Sequence, residues 1–296
     1  MEHTKHSGQQ QTVPYRTGSV ISRDGTTIGY RQLGSGPAVV LVQGGMQAAQ
    51  NFMTLGAELA DAFTVFIPDR RGRGLSGPHR EGHGISTECE DIDALLHETG
   101  AHHVFGLSAG ALISLCAART SPYIQHLAIF EPPLPVADTD LVAWLPRFER
   151  EIAQGQLAAA MMTGIRGAQV SPLFGLVPRF LLTPLLNLAI NADAKKVKDG
   201  DVPLKEIIPA LQFDAKTVSE TKGSLESFKD VRAEVLLLGG SRSPAYLKAA
   251  LDALEKTLPH VTRVEFPGLD HLAPDNSGKP KIVAQELLRW ALATRL

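Results

Sequence analysis

Cysteine is scarce in this 296-residue chain: Cys89 and Cys116 are its only two. Two thiols cannot make a disulfide framework, and no Cys/His spacing suggests a zinc site, so no metal is expected. Net charge is nearly absent as well. Lys and Arg total 29 against 31 Asp and Glu, which leaves −2 with the 10 His neutral. A field that weak recruits neither nucleic acid nor anionic lipid. Uninterrupted apolar runs are also missing. Residues 172–190 come nearest, with Leu173, Phe174, Leu176, Val177, Phe180, Leu181, Leu182, Leu185, Leu186 and Leu188. Pro172, Pro178 and Pro184 break that stretch and Arg179 lies at its centre, so no membrane span is expected. The first fifteen residues are polar and Gln-rich and lack the apolar core of a signal peptide. They predict a disordered leader over residues 1–16 and a cytoplasmic protein.

What is present is an ordinary globular balance, 44% apolar and 20% charged. The length can bury one large core, or a core with an insertion. Strand and helix signals alternate. A hairpin over residues 19–33 turns at Asp24-Gly25. A fully apolar strand follows at residues 38–42, and further strands at 63–67, 103–105, 126–130 and 234–238, with a last strand at 261–265. Continuous apolar strands belong inside parallel sheets covered by helices on both faces. Helices are expected over residues 51–60, 86–98 (with Ser86 as N-cap), 111–118, 244–258 and 280–296. The alternation predicts an α/β fold: a doubly wound, mostly parallel, eight-stranded sheet. Residues 134–229 break the pattern and look helical. They divide the chain into a core, residues 17–133 and 230–296, and an inserted helical lid. The greasy middle of that insertion predicts an apolar underside over the site.

Gly106-Leu107-Ser108-Ala109-Gly110 follows the strand at 103–105 and precedes an apolar helix. Strand, tight turn and helix with serine at the apex push a hydroxyl out at the end of a sheet, against a helix N-terminus. Three further landmarks share its order: Gln43-Gly44-Gly45 after the third strand, Asp69-Arg70-Arg71-Gly72-Arg73-Gly74-Leu75-Ser76 after the fourth, and Gly268-Leu269-Asp270-His271 after the last. In these four motifs the chain resembles the α/β-hydrolase-fold superfamily from residue 17 to 296. One departure is Gln43, where that family more often has His.

The resemblance implies a serine hydrolase, and the chemistry explains the residue types. An alcohol is a poor nucleophile until a base takes its proton as it attacks. His271 fits that base, past the last strand and at the sheet end of Ser108. His102 and His103 enter a strand at the opposite end. His79 and His83 read as solvated in a Gly-rich loop, and His3 and His6 lie in the leader. Backbone N–H groups of Gly45 and Ala109 are expected to receive the oxyanion. Gln43, Met46, Leu181 and Leu185 are candidates to line the substrate site, Gln43 alternatively holding its own loop.

The acid is the open position. Where the family commonly places it, after strand seven, the chain reads Gly240-Ser241-Arg242-Ser243-Pro244, and a neutral hydroxyl at Ser243 cannot balance an imidazolium. Glu131 stands directly after strand six, in Phe130-Glu131-Pro132-Pro133, and the following proline predicts an extended backbone there. Some branches of the family, haloalkane dehalogenases and certain lactonases among them, place the acid after strand six. Asp214 is the alternative, reaching in from the insertion. Asp270 is expected to point away from its neighbour, and Asp69 to pair with the adjacent arginines. A carboxylesterase or lactonase acting on an apolar small molecule without a cofactor is therefore expected. Haloalkane dehalogenase and epoxide hydrolase chemistry is disfavoured, because those branches carry Asp where Ser108 stands. Acyl transfer, lyase or cofactor-free peroxidase-like chemistry on the same site, and a receptor-like binding module, are the competing readings.

Overall fold

The computed structural model describes residues 14–137, 139–169 and 177–294. Most of the expected leader and residues 172–176 of the greasy stretch lie outside them. Eight strands form one sheet: β1 (Arg16–Ile21), β2 (Thr27–Gly34), β3 (Ala38–Val42), β4 (Thr64–Pro68), β5 (His103–Leu107), β6 (His126–Phe130), β7 (Glu234–Gly240) and β8 (Val261–Phe266). Their order is β1-β2-β4-β3-β5-β6-β7-β8. β2 runs antiparallel to both neighbours and every other pairing is parallel.

Alternate side chains leave the two faces of each central strand. Val40, Val42, Val104, Leu127, Ile129, Val235 and Leu237 join one buried cluster. It is completed by Ile92 and Leu95 of α2 (Ile85–Thr99), Leu112 of α3 (Ala109–Ala117) and Leu251 of α8 (Ala245–Thr257). Val39, Leu41, Phe105, Leu107, Ala128, Phe130, Leu236 and Leu238 join the other. Leu55 of α1 (Met53–Leu59) and Val283 and Leu287 of α9 (Pro280–Ala293) cover that face. Each such Leu, Ile or Val contributes about 1.5–3 kcal/mol on burial.

Between β6 and β7 run α4 (Leu145–Ala153), α5 (Leu157–Gly167), α6 (Arg179–Lys196) and α7 (Leu204–Glu220). Of the two described prolines of the greasy stretch, one does not cut it as the sequence predicts. Pro178 precedes α6, but Pro184 sits inside it. A proline removes the bond to the carbonyl four residues back. Here that is Phe180, whose side chain is 74% exposed, on a part of the helix that water can solvate. Arg179 does not interrupt the helix either: its guanidinium donates to Glu151 (2.8 Å), the Ala159 carbonyl (2.9 Å) and Thr163 (2.9 Å), fastening α6 to α4 and α5. Ser86 does not cap α2. The helix begins at Ile85, whose N–H donates to Glu220 of α7 at 2.7 Å. No described helix is long and apolar enough to cross a membrane.

At the amino end of the parallel strands His103 pairs in register with His126, and their rings lie 4.9 Å apart beside Trp290. Burial, then the neighbouring histidines, pulls the His103 pKa from 6.5 down to about 4. An unfolded chain takes up this proton near pH 6.5 and the folded one only near 4, so stability falls as pH falls through that window. The expected result for His103→Leu is a flatter dependence of the urea midpoint on pH between those values. A residual slope comes from His79, which burial also depresses, to about 3, and from His126, which burial depresses too. An unchanged slope in the variant would reject this account.

Candidate active site

The strand order reverses between β3 and β5, and ligands of open α/β sheets bind at such switch points, outside the carboxyl ends of the strands. The loop after β3 holds Gly44 and Gly45, and the turn after β5 holds Ser108. Ser108 has φ +54° and ψ −120°, a strained conformation that turns the strand straight into α3. The flanking glycines are required by close packing. A Cβ on Gly106 would lie 2.6 Å from Ala111 Cα, and one on Gly110 would collide with the Val42 carbonyl. A Cβ on Gly44 would sit 3.1 Å from that of Ser108, so the β3 loop lies directly against the serine.

β5 and β6 are in register up to Leu107 and Phe130, and the Ser108 N–H donates to the Phe130 carbonyl at 2.9 Å. Glu131 follows at the same rim, fully buried. Its Oε2 lies 2.7 Å from His271 Nδ1, and its Oε1 accepts the Gly240 N–H at 2.6 Å. A carboxylate only accepts here, which assigns the imidazole proton to Nδ1 and leaves Nε2 as the basic nitrogen. The backbone of Glu131 is not extended, as the following proline predicts, but has φ +50°. Its two carboxylate bonds, and its N–H to the Leu238 carbonyl at 3.1 Å, hold that conformation. Room for the carboxylate comes from Gly239, where a Cβ would lie 3.2 Å from Glu131 Oε1.

Asp214 is not the acid behind His271, although its Oδ2 lies 3.2 Å from where a Gly45 Cβ would stand. It sits on α7, where its Oδ1 accepts from Arg70 Nη1 (2.7 Å) and both its oxygens accept from Arg73 Nη2 (2.8 and 2.7 Å). Asp69 also departs from expectation: it accepts the backbone N–H groups of Ala49 (2.8 Å) and Leu75 (3.0 Å) rather than pairing with the arginines beside it. Those pair outward, Arg71 with Asp24 and Asp91, Arg70 with Glu88 and Asp214. Asp270 is exposed and caps the Leu272 N–H at 3.1 Å. Ser243 is buried with an unpartnered hydroxyl.

His79 and His83 are less solvated than expected, although His79 is only half-buried. His83 is buried, and His79 stacks on Phe213 of α7 at 3.6 Å. With Glu88 they bring ligand-type atoms within 4.8 Å of one another. Burial opposes the ionisation of Glu88, but Arg70 outweighs it and holds this carboxyl well below the usual range. Both Glu88 oxygens already accept from Arg70, at 2.8 and 3.1 Å, so the cluster is built as an ion-pair network. Of the expected lining residues, Met46 packs against the buried cluster of α4 to α7, and Gln43 is wholly buried. Leu181 and Leu185 instead face outward, 51% and 60% exposed, because α6 turns its inner side, with Leu186 and Ile190, to its neighbours.

Sequence reading missed Gln47, Asp275 and the contacts of Arg73. Gln47 Oε1 accepts the Gly44 N–H at 2.8 Å, and Gln47 Nε2 donates to Asp275 at 2.7 Å, tying the β3 loop to the segment after His271. Contacts spanning 228 residues leave no local signal.

Residues 37–277 match the family described as alpha/beta hydrolase fold. The chain is similar to 2-(acetamidomethylene)succinate hydrolase of Mesorhizobium japonicum, 26% identical over 89% of this chain and 91% of that protein. It also resembles N-formylmaleamate deformylase of Pseudomonas putida, 32% identical over 40% of this chain and 46% of that protein. Among solved structures, an alpha/beta hydrolase from Sphaerobacter thermophilus superposes with a TM-score of 0.73 at 28% identity, over 90% of this chain and 99% of that one.

Proposed function

The chain belongs to the alpha/beta hydrolase fold family, and on that footing we propose a serine hydrolase that opens an ester or lactone of an apolar small molecule through an acyl-enzyme. The observation that carries this reading is the 2.7 Å contact of buried Glu131 with His271, at the sheet rim where Ser108 stands in its strained turn. Ser108 Oγ attacks the carbonyl carbon while His271 Nε2 takes its proton. Glu131 holds the tautomer and balances the imidazolium. The oxyanion meets the N–H groups of Ala109, at the start of α3, and Gly45. His271 returns the proton to the leaving oxygen, and water repeats the sequence on the acyl-enzyme. Neither step calls for a cofactor.

Apolar side chains near the β3 loop support this substrate class. Residues 134–229 act as a lid. Its α7 brings Leu211 Cδ1 within 3.1 Å of where a Gly45 Cβ would stand, and Met46, Trp144, Phe148 and Leu211 share one apolar cluster. The guanidinium that reaches the β3 loop, Arg73, is matched by Asp214 and so offers a substrate carboxylate no net charge. A carboxylate on the acyl group therefore costs about tenfold or more in kcat/KM.

Cleavage of a carbon–nitrogen bond is the second reading, favoured by the similarity to 2-(acetamidomethylene)succinate hydrolase. The same residues would serve, with His271 protonating a departing amine. A matched ester and secondary amide of one apolar acyl group separate the two. The expected outcome is ester turnover with the amide untouched at the same enzyme concentration. An amide hydrolysed as fast as its ester would move the assignment to the carbon–nitrogen bond.

A further inference from the structure

We propose that Arg73 is a positioning residue for the oxyanion hole, holding the Gly44–Gly45 peptide so that its N–H is presented beside Ser108. The inference rests on the serine-hydrolase reading and deepens it. Arg73 Nη1 donates to the Gly44 carbonyl at 3.3 Å and to the Gln47 carbonyl at 2.9 Å, while Nη2 takes both oxygens of Asp214. Gly44 is thus gripped on both sides, by Gln47 at its N–H and by Arg73 at its carbonyl. In a trans peptide the C=O and the following N–H point in opposite directions. Fixing the Gly44 oxygen therefore fixes the direction of the Gly45 N–H, and a charged donor on that oxygen polarises the group. No acceptor among the described residues takes this N–H. Gly44 is also the residue whose absent Cβ would lie 3.1 Å from Ser108 Cβ, so the held peptide adjoins the nucleophile.

Arg73 is buried, and an unpaired guanidinium there would be costly. Asp214 answers it from α7, with Arg70 and Glu88 extending the network to α2. Asp214 thereby has a role unrelated to the catalytic acid: it keeps the arginine charged and aimed at the loop. The arginine stands between two glycines, and neither the Gly72-Arg73-Gly74 motif nor its distance from Gly44 in sequence reveals the contact.

The test compares Arg73→Met and Arg73→Lys with the parent protein on an apolar p-nitrophenyl ester. A trifluoromethyl ketone carrying the same acyl chain serves as probe, since Ser108 adds to its carbonyl carbon, His271 takes the proton and an oxyanion forms without a leaving group. Active sites are first counted by fluorophosphonate capture. Per titrated site, Arg73→Met is expected to lose on the order of 10² in kcat. Ketone affinity should fall in parallel while KM stays within about threefold, the mark of an interaction made in the transition state. Arg73→Lys, which keeps a charged donor, should recover part of both losses, and it carries the comparison alone if the methionine variant does not fold. Unchanged kcat and ketone affinity per site would overturn the proposal, as would a rise in KM alone. A parent protein that the fluorophosphonate does not label would instead overturn the acyl-enzyme reading, and this inference with it.

Discussion

Ser108→Ala is expected to abolish sustained ester turnover and fluorophosphonate capture while leaving the folded state in place. Loss of the nucleophile in a serine hydrolase costs about 10⁶ in kcat, and what remains reflects binding and the oxyanion hole alone. The fold should tolerate the change. Ser108 is half-buried, and only one oxygen is deleted. The strained φ of +54° is imposed by the packing of Gly106 and Gly110 against α3 and β3, and alanine meets the same cost there as serine. Thermal unfolding within a few degrees of the parent, with turnover gone, is the outcome to look for. Purified Ser108→Ala that still hydrolyses a short p-nitrophenyl ester would end the serine-hydrolase reading.

Much of the architecture was legible in the sequence because it is written in local patterns. Each central strand is a short apolar run that must be covered on both faces, and the two core clusters divide its residues by strict alternation. The strained turn at Ser108 was legible because its glycines answer a steric demand that only backbone packing creates. What local pattern did not carry was pairing across distance. Asp69 was expected to join the arginines next to it, yet those side chains reach Asp24, Asp91, Glu88 and Asp214, up to 144 residues away. Glu220 caps α2 across 135 residues, in place of the local Ser86. Pro184 was read as a break because proline costs a helix one bond, but the freed carbonyl belongs to exposed Phe180, on a part of α6 open to water. Leu181 and Leu185 failed for the same reason: a greasy helix has two sides, and composition does not say which faces inward.

Glu131 is proposed as the acid by an indirect route, since Ser243 stands where a carboxylate is usual and Glu131 contacts His271 from the same rim. The consequence is testable, with an effect second only to the loss of Ser108. Glu131→Gln is expected to lower kcat by about 10⁴ with KM little changed. The two bonds of the carboxylate explain why. Oxygen must still face the Gly240 N–H, now at 2.6 Å, which turns the amide NH2 toward His271 Nδ1. An NH2 group donates, so Nδ1 must accept, and the ring proton moves to Nε2, where a base is needed. The side chain keeps its volume, so the fold should survive. Asp214→Asn acts through other chemistry: it leaves two buried guanidinium groups short of a partner and should cost about 3–5 kcal/mol of stability without changing the His271 tautomer. Imidazole nitrogen shifts in 15N NMR read that tautomer directly. If Glu131→Gln proved mild while folded Asp214→Asn lost 10⁴ in kcat, the carboxylate behind His271 would not be the catalytic acid.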